Sequence, residues 1–365
     1  MINDRLAAYA AVAADLGVDA VALVPGPNFT RAIGQAFMSH ERPFVVVIPA
    51  SGPAAAIVPN LELGSWDQTG FDGAVFDWRD QTGYDDAFAA LCKHLNIASL
   101  AVEGQVMRVF THHAFLKAQP TLQIIDAERE ISALRMIKTD ADIAALQEAI
   151  VISERALAHT LSAIKVGETE KQVEQILIQS LFAEGADDLS FSPIVVSGPN
   201  TAMPHAHAGD RPLAEGDAVL FDFGARKHGF AADITRTVFI GHANDEQRAV
   251  YDAVLQANLV GHTITKAGIT AHDIDDAVTS SLEATPYADR IRTKTGHGLG
   301  REVHEAPYIM RGNHMTLPAG TVYTNEPGLY EIGNFGVRIE DDVLITDDGC
   351  ISLTTFPKEL TILPC

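Results

Sequence analysis

Apolar residues recur along this chain in two rhythms, and the places where one gives way to the other outline its architecture. Over roughly the first third the two alternate. Leu6, Tyr9, Ala13 and Leu16 follow a helical spacing that Gly17 ends, whereas residues 18–24, 44–48, 98–102 and 122–125 are short apolar runs of the kind that form buried strands. A helical pattern over 84–95 lies between two of them. This alternation predicts a small α/β domain over residues 1–126. The order then changes. Thr139 or Asp140 caps a helix whose apolar positions Ile143, Leu146, Ile150, Leu157, Leu161 and Ile164 share a face, and a second helix with Val173, Ile176, Leu177 and Leu181 stops at Gly185. Strand patterns follow at 191–196 and 218–240. Asn244 opens a helix through Val250 and Val254, another carries Ile274, Val278 and Leu282, and strand patterns resume from 291 to the C-terminus. Two helices followed by strands, twice over, predict an α+β domain over 127–365; no sequence repeat is visible, so any duplication rests on element order alone.

Composition narrows the class without naming a chemistry. The longest apolar runs fall far short of the roughly 20 residues that cross a bilayer. The first residues lack the basic-then-apolar pattern of a secretory signal, so a cytoplasmic protein without a membrane partner is expected. Cys92, Cys350 and Cys365 include no C-x-x-C pair and predict neither a disulfide framework nor a thiolate metal site. The 26 Lys and Arg residues against 48 Asp and Glu give a formal charge of −22, which removes the basic footprint of a nucleic-acid reader. That excess raises the question of whether some carboxylates gather inside.

Five segments suggest that they do. Val219-Leu-Phe-Asp222-Phe-Gly224 sets an acid in an apolar strand, and Ala231-Ala-Asp233-Ile-Thr235 repeats the oddity. A hairpin turning at Lys227-His228 puts Asp222 directly opposite Asp233, about 5 Å away, where the two repel unless they share a proton or hold a cation. Thr295-Gly-His297-Gly-Leu-Gly300 places an imidazole among glycines, where little bulk hinders a close ligand. In Tyr323-Thr-Asn-Glu326-Pro an acid ends a strand. In Gly336-Val-Arg338-Ile-Glu340-Asp-Asp342 three charged residues alternate with Val337, Ile339 and Val343. Read singly, His297 is a loop histidine, the Arg338 face is solvent and the adjacent pair His112-His113 is surface. Read together, Asp222, Asp233, Glu326 and Glu340 carry four negative charges, which two divalent cations neutralise, and His297 adds a nitrogen ligand. Oxygen-rich ligation with one imidazole suits Mn, Co, Fe or Zn, and two such ions about 3.5–4 Å apart bring the pKa of a bridging water toward neutrality.

With these motifs in order, the chain resembles the pita-bread metallopeptidases, most closely the prolidases (Xaa-Pro dipeptidases) and aminopeptidase P. The resemblance is specific over about residues 130–360 and looser over 1–125, which are similar to the creatinase-type N-terminal domain. It implies two divalent metal ions, Mn or Co before Zn or Fe, held by Asp222, Asp233, His297, Glu326 and Glu340. It makes Glu326 the proton carrier and His205, in Met-Pro-His205, and His304, in Val303-His304-Glu-Ala-Pro, the groups that hydrogen-bond the oxyanion and the substrate. His207 is the competitor of His205; Arg338 orients the site, with Thr235 beside Asp233. Short proline-containing peptides are the implied substrates, dipeptides first, and a homodimer the implied assembly. Three alternatives stay open: aminopeptidase P action on longer peptides, a lyase or hydrolase of non-peptide substrates on the same fold, and a non-catalytic binding protein. The long N-terminal region argues against a methionine aminopeptidase. One departure bears on specificity: residues 28–34, Asn-Phe-Thr-Arg-Ala-Ile-Gly, stand where many relatives have a Tyr-Leu-Thr-Gly-like stretch.

Overall fold

In a computed structural model that describes residues 2–365, with side chains from residue 4, the chain divides into two units between Arg135 and Met136. Six strands of the first unit, β1 (Ala20–Leu23), β2 (Val45–Pro49), β3 (Ala55–Pro59), β4 (Ala74–Trp78), β5 (Ser99–Val102) and β6 (Gln123–Asp126), form one sheet in the order β4-β3-β2-β1-β5-β6. β3 and β4 have no counterpart in the sequence reading, because Gly52, Pro53, Gly70 and Gly73 break up the apolar pattern around two five-residue runs. Side chains alternate across this sheet. Val21, Leu23, Val46 and Ile48 meet Tyr9 and Ala13 of α1 (Ile2–Leu16), while Ala22, Val45, Val47 and Ile57 meet Phe88 of α4 (Asp85–Leu95) and Phe115 of α5 (Val109–Ala118). Both faces are covered, which is why the strands read as continuous apolar runs.

The departing segment forms α2 (Pro27–Ile33), with Asn28, Phe29, Ala32 and Ile33 buried within this unit; Asn28 Nδ2 donates to Glu103 Oε1 at 2.6 Å. Short α3 (Leu63–Trp66) buries Trp66. On α5, His113 is exposed and His112 half-buried, as the surface reading requires. Ile131 of α6 (Glu128–Ala133) packs into the same core as α1, so the division of the chain falls after α6 rather than at the expected 126/127.

Four capping boxes open the long helices of the second unit: Thr139 with Asp142 at α7 (Asp140–Ala163), Thr169 with Gln172 at α8 (Glu170–Ala183), Asn244 with Gln247 at α9 (Asp245–Ile264) and Thr270 with Asp273 at α10 (Ala271–Glu283). Between the helix pairs run β7 (Asp188–Leu189), β8 (Ile194–Ser197), β9 (Ala218–Phe223), β10 (Ala225–Lys227), β11 (Phe230–Ala231) and β12 (Ile234–Ile240). After them come β13 (Gly296–Gly298), β14 (Glu305–Ile309), β15 (Val322–Asn325), β16 (Gly328–Tyr330), β17 (Gly336–Arg338), β18 (Asp341–Ile345), β19 (Cys350–Ser352) and β20 (Thr361–Leu363). The sheet β20-β12-β9-β8 packs on α7 and α8, and the sheet β14-β13-β15-β18-β19 on α9 and α10. Helix pair and sheet thus recur twice, as the element order predicts.

Two local expectations are corrected. Asp222 pairs with Thr235, not Asp233, because the hairpin turns one residue later than expected, at His228–Gly229. Their φ values of 50° and 76° make a two-residue turn with both residues left-handed, the form whose twist matches the flanking strands. Asp233 instead sits in the break between β11 and β12. Likewise residues 336–342 are not one strand with a solvent face. The chain breaks at Ile339–Glu340, β17 pairing with β16 and β18 with β15 and β19, and Arg338, Glu340 and Asp342 are all buried.

Candidate active site

The break at Glu340 brings the acidic residues together. Glu340 N–H donates to the Thr235 carbonyl at 3.1 Å, and Thr235 Oγ1 donates to Glu340 Oε2 at 2.6 Å, so the residue opposite Asp222 fixes Glu340. Arg236, whose guanidinium is buried, ties the Glu340 carbonyl and the Asp341 carboxylate to β12. Burial opposes ionisation of Asp341, but Arg236, His262 and Lys358 outweigh it and hold this carboxyl well below the usual range. Asp342 does not face the cavity; its Oδ2 accepts from Asp233 N–H at 3.2 Å and so sets the position of Asp233.

Three overlapping groups of donor atoms result, each within 4.8 Å: Asp222, Asp233 and Glu340; His297, Glu326 and Glu340; and Asp233, His297 and His304. All five residues expected to hold metal therefore lie in one constellation, on the wall of a cavity of about 560 Å³. His297 Nε2 lies 3.3 Å from Glu326 Oε1 and 3.6 Å from Asp233 Oδ2. Its flanking glycines serve strand packing rather than ligand access: a Cβ on Gly296 would sit 1.7 Å from the Thr324 carbonyl oxygen, and one on Gly298 2.2 Å from that of Ala306.

The electrostatics fit a cation site. Burial, then the charges of Glu340 and Asp222, pushes Asp233 well above the usual carboxylate range; burial, then Glu326 and Asp222, does the same to Glu340. Burial lifts Glu326 to about 7 against the pull of Arg338. Burial lowers His297 to about 3 and, with Lys294, lowers His304, so both imidazoles are neutral near pH 7. Asp233 Oδ1 is buried without a hydrogen-bond partner, an arrangement that costs about 1–3 kcal/mol for a neutral acceptor and more for a charged one. A divalent ion relieves both the repulsion and the orphaned oxygen.

The remaining candidates border this centre. Arg338 donates to Tyr330 Oη at 2.9 Å and to Thr235 Oγ1 at 3.0 Å and pairs with Asp222. His304 lies against His297 with ring centroids 3.8 Å apart and planes tilted by 40°. His205 lines both the cavity and an adjoining recess, whereas His207 lines only the recess. Sequence reasoning missed Lys294, which also lines the cavity, and Glu170, whose buried carboxylate holds the segment carrying His205. Neither has a motif signal, since a Lys near a glycine run and a Glu in a first helical turn both read as surface.

This fold and this site define a metallopeptidase, and the chain belongs to metallopeptidase family M24, whose model matches residues 144–347. The Creatinase/Prolidase N-terminal domain model matches residues 5–137, which places the pita-bread catalytic domain behind a creatinase-type domain. A probable dipeptidase PepE of Mycobacterium tuberculosis is 33% identical over 99% of this chain and 96% of its own length. Two solved structures are similar throughout. The Xaa-Pro dipeptidase from Bacillus anthracis has a TM-score of 0.92 at 31% identity, with all of both chains covered. The prolidase from Thermococcus sibiricus has a TM-score of 0.94 at 33% identity, covering 100% of this chain and 99% of its own.

Proposed function

We propose that the chain is an Xaa-Pro dipeptidase that hydrolyses the peptide bond before proline in short peptides, using two divalent cations held by Asp222, Asp233, His297, Glu326 and Glu340. The observation that carries this reading is the buried, unpartnered Asp233 Oδ1 where the donor groups meet; the names of the similar dipeptidase and prolidase supply the substrate class. Two such ions, when bound, would supply Lewis-acid polarisation of the scissile carbonyl and a water whose lowered pKa lets it ionise to the nucleophile, and the oxygen-rich donor set suits Mn or Co.

The protein's own groups do the rest. Glu326, on the cavity wall beside His297, takes a proton from the attacking water and passes it to the leaving imino nitrogen. His304, neutral and beside His297, and His205, which lines the same cavity, donate hydrogen bonds to the developing oxyanion and the substrate. Arg338, itself held by Thr235 and Tyr330, pairs with Asp222 and orients it. The reading extends to a homodimeric, cytoplasmic enzyme, with mass in solution as the check on assembly. A panel of Xaa-Pro dipeptides, Xaa-Pro tripeptides and peptides without proline, each assayed with Mn, Co and Zn, tests the function; cleavage only of peptides without proline, or of none, overturns it.

A further inference from the structure

Lys294 projects into the catalytic cavity from a segment held on both sides: Thr295 N–H donates to the Asp275 carboxylate at 2.7 Å, and the Thr295 carbonyl accepts from Glu326 N–H at 2.8 Å. Among the described residues its side chain has no ion pair and no hydrogen bond. Its Nζ lies 5.9 Å from the ring centroid of Tyr308 on β14, and its charge acts on Glu326 and His304 without touching either. A π-face steadies an ammonium without cancelling its charge. The cavity's carboxylates do not cancel it either once cations are seated, because two divalent ions balance Asp222, Asp233, Glu326 and Glu340 and Arg338 is committed to Asp222. An uncompensated ammonium then faces the place where substrate lies. Arg292, the neighbouring cation, is exposed and donates to the backbone carbonyls of Asp289 and Ile291.

An Xaa-Pro dipeptide brings one anion to that place, the carboxylate on the proline Cα, directly next to the scissile nitrogen. In a longer peptide the same position is a neutral amide. We propose that Lys294 binds the C-terminal carboxylate of the substrate and so selects dipeptides over longer or C-terminally blocked Xaa-Pro peptides; this rests on the dipeptidase reading above.

The test compares kcat/KM of the metal-loaded enzyme for Ala-Pro and for Ala-Pro amide in wild type, Lys294→Met and Lys294→Arg. The wild type is expected to favour the free acid by about 10- to 100-fold, the worth of one hydrogen-bonded charge pair. Lys294→Met collapses that ratio through KM, and Lys294→Arg keeps it. In the wild type alone, free proline inhibits more tightly than prolinamide by a similar factor, a readout that needs no variant. An acid-to-amide ratio unmoved by Lys294→Met, equal fall of kcat on both substrates, or equal inhibition by proline and prolinamide overturns the proposal alone. A wild type that cleaves neither substrate overturns the dipeptidase reading, and the proposal with it.

Discussion

Asp233 concentrates the chemistry of the site in one carboxyl group: Oδ1 is buried and unpartnered, and Glu340 and Asp222 crowd it. Its removal should therefore act on metal before anything else. Wild type is expected to hold two divalent ions per chain after loading, and Asp233→Ala fewer, by elemental analysis; less than one ion in saturated wild type contradicts the site. The histidines separate differently. His205→Ala and His304→Ala should keep their metal and lose roughly 10²-fold of turnover, because each acts on substrate and oxyanion. His207→Ala should stay near wild type, since it lines only the adjoining recess. Steady-state kinetics with metal content measured in parallel decides this, and unchanged rates in both His205 and His304 variants would remove them from the mechanism.

At the scale of elements, the segment carrying His205 is placed by a helix it does not belong to. Glu170, the first residue of α8, accepts from Ser197 N–H at 2.7 Å, Ser197 Oγ at 2.9 Å, Asn200 Nδ2 at 3.0 Å and Gly209 N–H at 2.8 Å, and so fastens both ends of the stretch 197–209. Glu170→Ala leaves two backbone donors without this acceptor, which costs about 1–3 kcal/mol each where they stay buried. The expected result is a fall of several degrees in Tm together with a lower kcat at unchanged metal content; a fall in Tm with kcat intact would show that the clamp does not reach His205. The β10–β11 turn makes a smaller demand. Gly229 adopts φ 76°, so Gly229→Ala should cost about 1 kcal/mol in a denaturant titration.

For the molecule as a whole, the same carboxylates that hold cations oppose folding when the cations are gone. Burial holds the Glu326 proton up to about pH 7 in the native state, against about 4.5 in an unfolded chain. Between those values the native state binds more protons, so this contribution to stability is complete below pH 4.5 and is lost as pH rises to 7. Cation binding stabilises the folded state only, and more strongly as the ligands ionise. The difference in Tm between metal-loaded and chelator-treated protein should therefore widen from pH 5.5 to pH 8. Calorimetric scans at the two values check it, and a gap independent of pH contradicts the shared origin of metal affinity and instability.

What the sequence determined by itself was what local chemistry encodes: helix starts at Thr139 and Asn244, the two helix-pair-and-sheet halves, and five carboxylate and imidazole positions whose residue types suit divalent ions. Periodicity and caps act over a few residues, so they survive in a linear reading. The partner of Asp222, the break that turns Glu340 inward, the roles of Asp342 and Glu170, and the unpaired charge of Lys294 were decided only by tertiary structure. Each depends on what stands across from a residue, and that is set by turn conformation and packing between segments far apart in the chain. Asp222 and Asp233 meet through the turn at His228–Gly229 and through Glu340 more than a hundred residues later, contacts that no spacing along the chain contains.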